Sequence, residues 1–145
     1  NSIGQVVVSG NINELNKFSE ELKIHKIENI KLPVSAPFHC ELMKSASEKM
    51  REEINKTEFK KPEINIISNV TAQQVNDPIE IKKLLIEQIE KPVRWREIVI
   101  NMIGSEVEKF IEIGPGKVLS GLVKRINGNV ELIQVNELDD LNKLT

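Results

Sequence analysis

Residues 107–135 read V-E-K-F-I-E-I-G-P-G-K-V-L-S-G-L-V-K-R-I-N-G-N-V-E-L-I-Q-V. The opening run, 107–113, is rich in β-branched and aromatic residues and stops at Gly114-Pro115-Gly116, which predicts a strand entering a tight turn. Residues 118–126 predict a helix closed by Asn127-Gly128, and 130–135 predict the next strand. Strand, helix and strand in succession is the pattern of parallel strands joined by a helical crossover.

The alternation continues toward the N-terminus. Residues 5–10 (QVVVSG) and 27–34 (IENIKLPV) predict strands, and 14–23 predict a helix capped by Asn11-Ile12-Asn13, so the first third reads as a β-α-β unit. Ser35 to Cys40 form a loop before a helix whose apolar stripe is Leu42, Met43, Ala46, Met50 and Ile54, ending before Phe59 and Pro62. A short strand at 64–67 precedes the polar turn Ser68-Asn69-Val70-Thr71. Pro78 opens a helix over 79–90 that Pro92 stops, and a further helix over 95–103 ends at Gly104. Trp95 is read as packing between helices, and the tail as a short helix or frayed end. The expected fold class is α/β with mainly parallel strands, and the internal boundary falls near Pro33.

Composition narrows the function classes. The 145 residues are 39% apolar and 29% charged with a net charge of −2, which suits one folded domain and gives no general attraction to nucleic acid or anionic membrane. No run of 18 apolar residues and no basic-then-apolar leader occurs, so neither a transmembrane helix nor a signal peptide is expected. The single cysteine, Cys40, excludes an intramolecular disulfide and points to a reducing, cytoplasmic setting. The first residue is Asn1 rather than Met, which fits a processed protein or a piece of a longer chain.

Only two histidines are present. His25 lies among charges at a helix end and reads as a solvated surface residue. His39 follows Pro37-Phe38 in an apolar loop just before a helix. On residues alone it is open to a structural role or to that of a general base beside a hydroxyl nucleophile. Two separated histidines and one cysteine make no credible metal site. Cys40 and His39 are sequence neighbours that project differently, a poor arrangement for a cysteine nucleophile and its base. Gly114-Pro115-Gly116 before a helix is neither G-x-G-x-x-G nor a P-loop, so a tight turn is expected rather than a phosphate site.

Five segments, in order, resemble malonyl-CoA:acyl carrier protein transacylases. The run Leu32-Pro33-Val34-Ser35-Ala36-Pro37-Phe38-His39-Cys40-Glu41-Leu42-Met43 resembles their catalytic-histidine segment. Residues 1–10 (NSIGQVVVSG) resemble N-S-P-G-Q-V-V-I-S-G, with Ile3 in place of proline. Ser68-Asn69-Val70-Thr71-Ala72 resembles the S-N-V-T/D turn, and Gln88 to Trp95 (QIEKPVRW) resembles Q-L-x-x-P-V-R-W. Residues 112–122 (EIGPGKVLSGL) resemble E-[IV]-G-P-G-K-V-L-x-G-L. Together the segments span nearly the whole chain, to Arg125.

The resemblance implies a fold and an activity. It implies the C-terminal part of a hydrolase-like parallel-sheet core (34–145) plus the second β-α-β half of a ferredoxin-like (α+β) subdomain (1–33). It implies transfer of malonyl from coenzyme A to the phosphopantetheine thiol of acyl carrier protein through an acyl-serine, for fatty acid biosynthesis, with no cofactor beyond these substrates. His39 would be the base, and Gln88 the residue whose main-chain carbonyl orients it, a dipole in place of a triad carboxylate. Without the resemblance Gln88 is an ordinary helix-surface amide. Phe38 would favour malonyl by crowding branched substrates, or simply pack in the core. Lys117, Lys124 and Arg125 would offer a basic docking patch for acidic carrier protein, or a solvated helix face. No G-x-S-x-G elbow occurs around any serine. The nucleophile is therefore expected from the N-terminal part of the same enzyme, and the isolated chain is expected to be inactive. The alternative is a non-catalytic α/β carrier-protein-binding module.

Overall fold

The computed structural model describes residues 1–144, which form two compact units. One comprises residues 1–6, 71–73 and 94–144, and the other residues 7–70 and 74–93.

The C-terminal unit is built on the segment quoted first. Strand β3 (Lys109–Ile113) and strand β4 (Glu131–Val135) pair in parallel, from Lys109 opposite Glu131 to Ile113 opposite Val135, and helix α5 (Val118–Ile126) connects them. An ion pair of 3.1 Å between Lys109 and Glu131 opens the ladder. Helix α4 (Trp95–Gly104) packs against α5, burying Ile98 and Val99 on one and Val123 on the other. Burial of such side chains contributes about 1.5–3 kcal/mol each. Along β3, exposure alternates: Ile111 and Ile113 face outward, while Phe110 and Glu112 are half-buried.

The turn from β3 into α5 needs glycine. Gly114 and Gly116 stand at φ 134° and 96°, where side chains are strongly disfavoured. Their amides donate to the end of β4, Gly114 N to the Val135 carbonyl and Gly116 N to Asn136 Oδ1. Lys117, at the N-cap position, makes no side-chain cap. Instead Glu112 reaches from β3 and accepts from the Leu119 and Ser120 amides, the second and third helical positions, at 3.0 and 2.7 Å. Ser120 Oγ donates to the same carboxylate at 2.6 Å.

The other unit holds helices α1 (Ile12–Ile24), α2 (Lys44–Lys56) and α3 (Pro78–Glu87), a 3-10 turn at Glu41–Met43, and the short antiparallel pair β1 (Ile66–Ile67) and β2 (Gln74–Val75). Asn11 caps α1, accepting from the Asn13 amide, and Asp77 caps α3, accepting from the Glu80 amide with Pro78 at the first position. Its core joins Val75, Ile81 and Leu84 with Phe59, Val70 and Leu85, and α2 packs on α3.

Three expectations are corrected. Residues 5–10 and 27–34 form no regular strand, apart from a single bridge between Ser2 and Gln5. Their β-branched composition favours an extended backbone, but a strand requires a ladder partner, and these segments have none among the described residues. Asn29 instead ties the second segment to α1, accepting from Ser19 Oγ at 2.6 Å. Second, α3 ends at Glu87 rather than 90. Third, α4 runs through Gly104, and its left-handed residue is Glu106 (φ 65°). The Val107 amide then donates to Met102 and the Glu106 amide to Ile103, a Schellman closure that Lys26 repeats at the end of α1.

Candidate functional site

The loop carrying His39 is stitched by short-range bonds. The Phe38 amide donates to Ala36, the Cys40 thiol to the Pro37 carbonyl at 3.1 Å, and the Met43 amide to Cys40 as the 3-10 turn begins. Within it His39 takes φ 62°. Among the described residues four non-glycine positions have positive φ; Lys26 and Glu106 close helices, and the other two are His39 and Ala72.

His39 is exposed, and its Nδ1 lies 2.8 Å from the Gln88 carbonyl oxygen. A carbonyl only accepts, so Nδ1 carries the proton of this bond. In the neutral ring the lone pair is therefore on Nε2. The imidazole is thereby held in one tautomer with a basic nitrogen on its other side.

Gln88 can offer its carbonyl because of where α3 stops. In a continuing helix that oxygen would accept from the amide of residue 92, four positions on. Residue 92 is proline and has no N–H. Gln88 is the C-cap of α3, its own amide still donating to Leu84, and its carbonyl is one of the orphan acceptors of the last turn. The C-terminal end of the helix also presents partial negative charge toward the imidazole. The Gln88 side chain is engaged as well: Oε1 accepts from Asn69 Nδ2 at 3.3 Å.

The turn after β1 is tightly built. The Val70 amide donates to Ser68 Oγ and the Gln73 amide to Thr71 Oγ1. Arg94 Nη1 donates to the Thr71 carbonyl at 3.0 Å while its Nε and Nη2 grip the Glu97 carboxylate at 2.7 and 2.8 Å. That hydrogen bond and charge raise the Arg94 guanidinium above its ordinary range, and hydrogen bonding to Arg94 holds the Glu97 carboxyl below its own. Asn101 Nδ2 donates to the carbonyl of the buried Ala72 at 2.8 Å.

The remaining residues singled out in the sequence are placed as follows. Phe38 is 47% exposed beside His39, so it is not a core side chain here. Cys40 is half-buried with its thiol turned to Pro37. Lys117 and Lys124 are exposed, the first at the N-cap position before α5 and the second in its last turn. Arg125 is exposed and donates to Gln5 Oε1 at 3.4 Å. The α5 N-terminus is not an open anion site, because Glu112 already occupies its amides. Burial pushes the Glu112 carboxyl up, but the bonds from Ser120 and Leu119 outweigh it and hold it below the usual range. A depression of about 440 Å³ between α2 and α3, lined by Phe59, Pro78 and Ile79 among others, takes in none of these residues. Among the described residues no group of three or more His, Cys, Asp or Glu is placed to hold a metal ion, and no helix is long and apolar enough to cross a membrane.

Sequence reasoning missed Asn69 as a partner of Gln88 and Glu112 as the cap of α5. Pro92 was the available signal for the free Gln88 carbonyl, four positions downstream.

Comparison with known proteins gives one consistent result. Residues 1–138 match the family described as acyl transferase domain. A curated relative from Bacillus subtilis (strain 168), named malonyl CoA-acyl carrier protein transacylase, is 44% identical over 138 residues, covering 94% of this chain and 44% of its own length. The crystal structure of malonyl CoA-acyl carrier protein transacylase from Clostridium perfringens superimposes with a TM-score of 0.85 at 43% identity, over 92% of this chain and 42% of that one. A structure described as a type II PKS acyl-carrier protein in complex with its malonyl-transacylase gives a TM-score of 0.86 at 32% identity, over 92% of this chain and 44% of that one. The chain thus spans somewhat under half the length of the relatives it matches. With an α/β fold shared over nearly its whole length and a family match from residue 1 to residue 138, the chain belongs to the acyl transferase domain family.

Proposed function

We propose that this chain supplies the general base of a malonyl-CoA:acyl carrier protein transacylase of fatty acid biosynthesis, acting in the cytoplasm. The observation that carries the reading is the 2.8 Å contact between His39 Nδ1 and the Gln88 carbonyl, with the ring open to solvent. The nucleophilic serine comes from polypeptide outside these 145 residues, since no G-x-S-x-G is present. His39 Nε2 takes the serine proton as Oγ attacks the malonyl thioester, and returns it to the departing coenzyme A thiolate. In the second half-reaction Nε2 takes the proton of the phosphopantetheine thiol as its sulfur attacks the acyl-serine, and returns it to the serine oxygen. The Gln88 carbonyl fixes the tautomer throughout.

Phe38, exposed beside the base, narrows the space at the malonyl α-carbon. Lys117, Lys124 and Arg125 form the surface that meets the acidic carrier protein, a partner supported by the carrier complex of the related transacylase. Residues 1–33 are the second half of a ferredoxin-like subdomain and 34–145 the C-terminal part of the core. The apolar exposure of Val6, Val7, Val8, Ile27 and Ile30 supports further strands packing there.

The test is complementation. The chain is mixed with polypeptide carrying the serine elbow, and malonyl transfer to holo carrier protein is followed by intact mass. Transfer is expected in the mixture, with His39→Ala lowering the rate by about 10²–10⁴-fold. Undiminished transfer by His39→Ala, or serine-dependent transfer by the chain alone, would overturn the proposal.

A further inference from the structure

Gln88 is held at two points. Its carbonyl meets His39, and its side-chain oxygen accepts from Asn69 Nδ2. The position lies just past the last α-helical residue, and Pro92 withholds the amide that would fix the carbonyl from below. The amide of the same peptide unit, Ile89 N, donates to Ile86 at a long 3.3 Å, so the helix end holds the carbonyl only loosely and leaves room for a second restraint. Asn69 is suited to supply it. It is half-buried in the turn after β1, where Ser68 Oγ accepts from the following amide.

We infer that Asn69 is a positioning residue: by holding the Gln88 side chain, it aims the Gln88 carbonyl at His39 Nδ1 and keeps the imidazole in the tautomer whose Nε2 is basic. This rests on the reading of His39 as the base, but it has its own readout. A hydrogen bond of this length orients through geometry rather than strength, so its loss changes the ring more than the fold.

The experiment is nitrogen-15 NMR of the histidine-labelled chain, which reports the ratio of the Nδ1–H to the Nε2–H form of neutral His39 and needs neither nucleophile nor substrate. The unaltered chain is expected to be mainly in the Nδ1–H form. Asn69→Ala should lower the ratio by about threefold or more. Gln88→Ala, which retains the carbonyl but cuts the same link, should lower it similarly, and adding Asn69→Ala to it should change nothing further. Asn69→Asp should restore part of the ratio, because the Gln88 amide can turn over and donate. In the complemented enzyme the Asn69→Ala defect should appear in kcat with KM unchanged.

An unchanged ratio in folded Asn69→Ala, or an equal effect of Asn69→Ala with and without the Gln88 side chain, overturns the inference. Should Asn69→Ala fail to fold, Gln88→Ala carries the test alone, and an unchanged ratio there overturns it equally. If His39 is not the base, transfer will survive His39→Ala while the NMR result stands, so the two failures are separable.

Discussion

Replacing Glu112 by glutamine tests whether a strand carboxylate, rather than a residue at the helix start, holds α5 in place. The carboxylate accepts three bonds, from Leu119 N, Ser120 N and Ser120 Oγ, at 3.0, 2.7 and 2.6 Å. Glutamine keeps the shape but offers one acceptor oxygen, and its NH₂ must face a donor. Charge-assisted bonds are worth roughly twice neutral ones, so the loss at pH 7 should be about 1–2 kcal/mol. The sign with pH follows from the direction of the shift. The folded carboxyl lies below its ordinary value, so its contribution is fully present above the unfolded value of about 4.3 and disappears as pH falls through the lower folded value. Urea unfolding followed by the fluorescence of Trp95, the only tryptophan and part of α4, reads the unit concerned. With a slope of about 2 kcal/mol/M, the midpoint should drop by about 0.5–1 M at pH 7. The gap should narrow in acid, where the protonated carboxyl resembles the amide. Equal midpoints at pH 7, or a gap that persists undiminished at pH 3, would refute the reasoning.

Other outcomes follow from the site. Pro92→Ala restores an amide able to donate to the Gln88 carbonyl, so α3 should lengthen and complemented transfer should fall by about tenfold, read as kcat. Arg94→Ala removes the main cause of the Glu97 shift, so an NMR titration should find the Glu97 carboxyl moved upward toward the ordinary range. Asn101→Ala leaves the carbonyl of buried Ala72 without its donor, and should destabilise the chain by about 1–3 kcal/mol in the same urea assay.

Local signals were legible where local physics decides. The α5 boundaries and the parallel pair around it follow from 107–135 because the turn glycines and the hydrophobic runs agree there. The apolar stripe through Ala46, Met50 and Ile54 likewise announced α2. The N-terminal strands were not realised because an extended residue becomes a strand only through pairing, which is a long-range property. The β2 strand, two residues long, lies below what composition can signal. His39 and Gln88 came from resemblance to a family, since no periodicity marks an imidazole 49 positions from the carbonyl it meets. Asn69 was visible only as part of a polar turn, because its partner lies 19 residues away.

The left-handed backbone at His39 bears on what selection could do with this position. A side chain with a β-carbon sits there at a disadvantage of about 1–2 kcal/mol, and glycine would relieve most of it. A lineage that kept only a carrier-binding surface would therefore be rewarded for losing the imidazole. On the proposed reading, stability and chemistry therefore pull in opposite directions at position 39.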